Sequence, residues 1–170
     1  MPEIAKKLYK ALNDQIQQEV ASAYLYLSMS IHCEAMNLKG AASWLRAQWD
    51  EELAHGLKLV DYINSRGNKV ELQAIEKPQG QFKSLLDVFE TVLSHERKVS
   101  ESINRLYGLA VKEGDFAAQA FLQWFVSEQV EEEATSTEIV EMIRLAGDRG
   151  SAILMVDRQL AGRGSDGDGD

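Results

Sequence analysis

The chain has little cysteine, little proline and no long apolar run, and each shortage closes off a class of protein. Cys33 is the only cysteine in 170 residues. An intrachain disulfide framework is therefore excluded, as is any Cys-x-x-Cys zinc or iron site within one chain. A lone cysteine of this kind is expected to be a small buried hydrophobe. Two prolines leave room for long uninterrupted helices. No apolar stretch approaches the roughly 20 residues of a membrane span. Met1 to Lys10 carries no apolar run of signal-peptide length. A soluble, cytoplasmic protein with no membrane partner is the expectation. Basic residues are also outnumbered: 18 Lys and Arg against 27 Asp and Glu give a formal net charge of -9. Binding to a phosphate backbone needs the opposite balance, so no nucleic acid is expected as a partner. An anionic membrane surface would repel the chain for the same reason. What is present suits one globular domain with a real core: 45% hydrophobic and 26% charged residues.

The hydrophobic periodicity predicts four long helices, over about 3–37, 40–65, 82–112 and 115–145, and a short fifth over about 151–160. Gly40, Gly67, Gly114 and Gly147 fall near the breaks, where helix-ending glycines are expected. The breaks near Leu38 and Gly114 are short, so the helices on either side should be antiparallel neighbours. The link from Arg66 to Gln81 is long enough, at about 3.3 Å per extended residue, to cross the whole length of a helix of this size. The second and third helices would then run parallel. The expected fold is all-α: a four-helix bundle with one long crossover and a short C-terminal fifth helix, spanning residues 1–161. The remaining residues, 162–170 (GRGSDGDGD), contain no large apolar side chain and are expected to form a loose acidic tail.

The chemistry lies in the stripes that face the bundle interior. On the third helix Leu85, Phe89, Val92, Glu96, Val99, Ile103, Leu106 and Ala110 alternate spacings of four and three, the pattern of an inward seam. Only Glu96 is polar. The first helix offers Leu8, Leu12, Ile16, Glu19, Ala23 and Tyr26, and the second Leu45, Trp49, Glu52, Gly56 and Leu59. The fourth offers Phe121, Phe125, Glu128, Glu132, Thr135 and Ile139. Every long helix thus puts glutamate in its apolar stripe. An unpaired buried carboxylate costs several kcal/mol or takes up a proton. No Lys or Arg stands in the stripes near these glutamates, which leaves a bound cation as the common cause. Oxygen donors with one imidazole suit iron or manganese better than a structural zinc site. The imidazole is His55, three residues after Glu52 and on the same helix face. Glu-x-x-His is the helical unit of carboxylate-bridged di-iron sites. Glu133 reads as a solvated charge, Trp49 and Trp124 as core, and His32 and His95 as surface or structural.

The segment Ala47 to His55 (AQWDEELAH) resembles the second-helix motif of the non-haem ferritins. Phe121 to Glu133 (FLQWFVSEQVEEE) resembles their fourth-helix motif, and Ala11 to Gln15 with Ala23 to Met29 fit their first helix. The resemblance is to bacterial and archaeal ferritins and covers the chain except its tail. It implies self-association into a hollow shell of twenty-four subunits, with the fifth helix near the fourfold axes. It also implies that Glu19, Glu52 and His55 hold one iron, with Glu52 bridging, and that Glu96 and Glu132 complete the shell of a second. Gln129 matches a glutamine beside that site. Glu51, Glu128 and Glu131 match the carboxylates of a third nearby iron site, which Glu132 shares. Tyr26 and Trp124 match residues able to supply electrons during oxygen reduction. No haem is expected: Leu53 stands where haem-binding relatives carry Met after the bridging Glu, and no second Glu-x-x-His follows.

The implied activity is a ferroxidase, oxidising ferrous iron with dioxygen or peroxide and storing the product as ferric oxyhydroxide. Two other readings share the same spacing: a small soluble di-iron peroxidase or oxygenase that stores nothing, and a structural bundle with solvated glutamates. On the metal reading, Glu19, Glu51, Glu52, Glu96, Glu128, Glu131 and Glu132 account for most of the acid surplus. With those seven set aside, 20 acids face 18 bases.

Overall fold

The computed structural model describes residues 3–163. It contains five helices among them: α1 (Lys6–Ala35), α2 (Lys39–Ser65), α3 (Leu85–Lys112), α4 (Phe116–Ala146) and α5 (Gly150–Arg163). The expected boundaries hold to within a few residues. Gly162 and Arg163 extend α5 into the stretch expected as tail, and the rest of that stretch lies outside the described residues.

The hydrogen bonds of the crossover establish the topology. Tyr9 Oη donates to the Lys69 carbonyl, and the Glu71 amide donates to Asn13 Oδ1. Further on, Gln17 Nε2 donates to the Ala74 carbonyl and Ser28 Oγ to that of Gln79. The link therefore climbs α1 from its beginning towards its end. Because α2 packs back along α1, the climb returns the chain to the end where α2 began, and α3 runs parallel to α2. These side-chain anchors satisfy part of a connection that forms no secondary structure of its own.

The helix ends are tied by specific caps. Ser84 Oγ accepts the Asp87 amide at 3.1 Å to open α3, and Asp115 Oδ1 accepts the Ala118 amide at 2.9 Å to open α4. The same Asp115 pairs with buried Arg66 through two hydrogen bonds, of 3.1 and 3.0 Å, which clamps the end of α2 to the start of α4. The start of α2 is capped from a distance: Asp157 of α5 accepts the Gly40 and Ala41 amides at 3.1 and 2.8 Å. This corrects the expectation for Gly40. Gly67, Gly114 and Gly147 do take positive φ at helix ends, whereas Gly40 lies inside the first turn of α2. A Cβ there would lie 1.8 Å from the Asp157 carbonyl oxygen, so glycine is required for close approach. The positive φ at the first break belongs to Asn37.

Two apolar clusters fill the bundle. One gathers Met29, Cys33, Leu45, Phe89, Val92 and Ile139; the other gathers Leu8, Leu12, Leu59, Ile103, Leu122 and Phe125. Full burial of each large side chain contributes about 1.5–3 kcal/mol. The layer between them, near mid-length on all four long helices, is polar, with Glu19, Glu52, His55, Glu96, Gln129 and Glu132 all buried. The predicted seams of α1 and α3 are buried at every position. On α4 the expected positions Phe125, Glu132 and Ile139 are buried, but the alternate column is shifted by one residue. Leu122, Gln129 and Ser136 are buried, whereas Phe121, Glu128 and Thr135 are only half-buried. Both columns are similar in polarity, so periodicity alone could not choose between them.

Candidate metal centre

Each long helix delivers its donors from an apolar stripe interrupted near mid-length, once on α3 by Glu96 and by more than one polar residue on α2 and α4. Glu19 on α1 meets Glu52 and His55 from adjacent turns of α2. One ligand atom from each of the three lies within 4.8 Å of the others. His55 Nδ1 is 3.8 Å from Glu19 Oε2 and 3.9 Å from Glu52 Oε2. Among the described residues this is the one group of three or more His, Cys, Asp or Glu side chains to converge so closely. Glu52 Oε2 is buried and has no hydrogen-bond partner. An orphaned carboxylate oxygen in a native core is a costly feature that calls for an occupant.

The opposite side of the layer is built by α3 and α4. Tyr26 Oη donates to Glu96 Oε1 at 2.5 Å, and Gln129 Nε2 donates to Glu96 Oε2 at 3.1 Å. Gln129 Nε2 also lies 3.3 Å from Ser100 Oγ. On the α1 side, Gln15 Nε2 donates to Glu19 Oε1 at 2.7 Å, and Ser102 Oγ donates to Gln15 Oε1 at 2.7 Å. The amide orientations follow from these partners. Aromatic rings close the layer next to α4. The His55 ring lies edge-on to Trp124 at 5.2 Å and to Phe125 at 6.1 Å.

Crowding acids in a dry layer raises their affinity for protons. Burial is the largest cause for Glu52, and the neighbouring Glu19 and Glu96 add to it. Burial also holds Glu96 above the ordinary range, although the hydrogen bonds from Tyr26 and Gln129 oppose it. Glu132 is pushed up to about 9, by burial first and then by Glu51, Glu96, Glu128 and Glu131. Burial and the charge of Glu96 raise the Tyr26 phenol further. A divalent cation would reverse the logic by favouring the ionised forms.

The other sequence-predicted residues distribute unevenly. Glu51 is half-buried and accepts from Gln48 Nε2 at 2.8 Å; Glu128 is half-buried and Glu131 exposed. These three surround Glu132 electrostatically but do not converge as closely as the Glu19 group. Trp124, expected as core, is 37% exposed. It bridges His55 to the surface, where Lys58 Nζ sits 3.5 Å from its ring centre. His95 is half-buried, with Nε2 2.6 Å from Ser22 Oγ, a structural role as expected. Glu133 lies 4.0 Å from Arg97 at the edge of solvent. Sequence reasoning passed over Gln15 and Ser102. The only available signal was a polar residue one turn before Glu19 on its own face.

A family model described as the ferritin-like domain matches residues 9–146, the stretch that carries every one of these donors. The chain belongs to the ferritin family. It is 43% identical over 157 residues to the bacterial non-heme ferritin of Campylobacter jejuni, covering 92% of this chain and 94% of that one. The Bacteroides fragilis bacterial non-heme ferritin is 43% identical over 160 residues, with 94% and 99% covered. Among solved structures, the open-pore ferritin of the archaeon Archaeoglobus fulgidus superposes with a TM-score of 0.92 at 46% identity, covering 94% of this chain and 98% of that one. The ferritin fold, with its crossover, accounts for the parallel α2 and α3.

Proposed function

We propose that this ferritin stores iron and that its mid-bundle layer is a ferroxidase centre. Ferrous iron is the substrate. The observation that carries the reading is the convergence of Glu19, Glu52 and His55, with His55 Nδ1 3.8 Å from Glu19 Oε2 and 3.9 Å from a Glu52 Oε2 that has no hydrogen bond. Among the described residues no Lys or Arg lies within ion-pair distance of these carboxylates, and the one basic neighbour is an imidazole. Glu19, Glu52 and His55 bind the first ferrous ion, and Glu96 and Glu132 complete a second site with Glu52 shared. Hard oxygen donors favour the ferric product.

Two adjacent ferrous ions supply two electrons together. Dioxygen takes both with two protons to give hydrogen peroxide, or peroxide takes both with two protons to give water. Tyr26 donates to Glu96 Oε1, which sets a phenol capable of electron transfer beside the second site. Trp124 connects the His55 edge of the centre to the surface. Gln129 holds Glu96 against rotation. Glu51, Glu128 and Glu131, gathered around Glu132, form a third iron site that receives ferric ions before they hydrolyse to mineral. The family relationship supports a twenty-four-subunit shell around that mineral, in the cytoplasm, without haem.

The oxygenase alternative needs a substrate cavity against the metals. The groove of about 650 Å³ between α1, the crossover and α3 is lined by Gln17, Leu25, Pro78, Thr91 and His95, and by none of the proposed ligands. Stopped-flow oxidation of ferrous iron tests the assignment. Glu52→Ala and His55→Ala should each abolish the rapid phase while the circular dichroism stays helical. An unchanged rapid phase in both variants refutes the site.

A further inference from the structure

Glu19 has two oxygens and a terminal torsion with a broad, twofold profile. The torsion by itself does not decide which oxygen meets a metal. Gln15, one turn earlier and 1% exposed, supplies that decision. Its Nε2 occupies Glu19 Oε1 at 2.7 Å, while Glu19 Oε2 is the oxygen facing His55 Nδ1. The amide has an alternative orientation, turned by half a rotation, which would set its oxygen against the carboxylate. Ser102 on α3 ties down the opposite end by donating to Gln15 Oε1 at 2.7 Å. The amide is thus pinned at both ends, by a carboxylate on α1 and a hydroxyl on α3.

The far side of the layer is tied differently. Gln129 Nε2 of α4 donates both to Glu96 Oε2 at 3.1 Å and to Ser100 Oγ of α3 at 3.3 Å, so there the serine accepts from the amide nitrogen and does not hold the amide oxygen. Of the two, only Gln15 is held at both its nitrogen and its oxygen. Glu52 has no such glutamine, and its Oε2 has no hydrogen-bond partner.

We infer that Gln15, anchored by Ser102, is a positioning residue that occupies Glu19 Oε1 and leaves Glu19 Oε2 as the oxygen that would meet a metal. The inference rests on the proposed metal centre. Hydrogen-bond partners outside the ligand set typically govern metal affinity by about 10–100-fold. Ser102 reaches no ligand directly, so its effect must travel through the amide.

Cobalt(II) titration of the apo-protein, followed by calorimetry and by the visible d–d spectrum, separates the possibilities. Gln15→Leu should weaken cobalt(II) binding at the Glu19 site by about tenfold or more and change the band shape. Ser102→Ala should shift the band in the same direction with a smaller loss of affinity, and Ser102→Thr, which keeps the hydroxyl, should restore both. Thermal unfolding of the apo-proteins monitors the fold, and if Gln15→Leu does not fold the Ser102 pair decides. Wild-type affinity and band shape in Gln15→Leu and Ser102→Ala, with cobalt(II) binding lost in Glu52→Ala, overturn the positioning role alone. Indistinguishable titrations of wild type and Glu52→Ala overturn the metal centre and this inference with it.

Discussion

Glutamate 132 offers the sharpest quantitative consequence of the buried acid layer. Its carboxyl is pushed up to about 9, by burial and then by Glu51, Glu96, Glu128 and Glu131. At pH 7 a group with that affinity is ~99% protonated. Loading the centre with a divalent cation must expel that proton, because an acid ligand binds in its ionised form. Glu132 alone therefore accounts for about one proton released per loaded centre at pH 7, falling to about half a proton at pH 9. Glu52 and Glu96, also raised, add to the total. Zinc(II) is the suitable probe because it changes no oxidation state. Calorimetric titration at pH 7 in buffers of different ionisation enthalpy counts the protons. Wild type minus Glu132→Gln should come to about one proton per centre. The difference should shrink as pH approaches 9, and zinc(II) affinity should rise with pH over the same range. Equal proton release by the two proteins would refute the reasoning that a protonated acid waits in this layer for a metal.

The same shift makes a stability prediction for the apo-protein. The folded value of Glu132 lies above the unfolded value of about 4.3, so between them the native state holds more protons than the unfolded state. Apo-protein stability should therefore fall as pH rises from about 5 to 9, with a limiting slope of about 1.4 kcal/mol per unit from this group. Glu132→Gln should flatten the trend in denaturant titrations, and an unaltered slope contradicts it. Gly40→Ala should destabilise the protein by about 1–3 kcal/mol or more, because its Cβ meets the Asp157 carbonyl at 1.8 Å. A melting temperature unchanged from wild type would show that α5 does not dock as described.

Much of this was legible in the sequence because helical periodicity is a local property. The seams of α1 and α3 could be read residue by residue, and a single glutamate in each stood out against apolar neighbours. The crossover followed from length alone. What escaped was set by tertiary contact. Gly40 looked like a helix end, but its constraint comes from Asp157, 117 residues away. Trp124 looked like core because its ring is large and stands beside Phe125, yet it lies at the layer's rim against Lys58. On α4, Gln129 and Glu128 compete for the interior, and only packing against α3 turns Gln129 inward. Gln15 is a polar residue among polar residues until Ser102 of α3 comes into contact.

The central claim is that ferrous iron is oxidised in the bundle and stored in a shell of this chain. Ferrous iron added aerobically to the purified apo-protein, with oxidation followed optically and the particle sized before and after, tests it most directly. The account predicts a rapid phase saturating at about two irons per chain, then slower uptake of many more, all eluting with one large hollow particle. A small oligomer whose oxidation stops at about two irons per chain would contradict it.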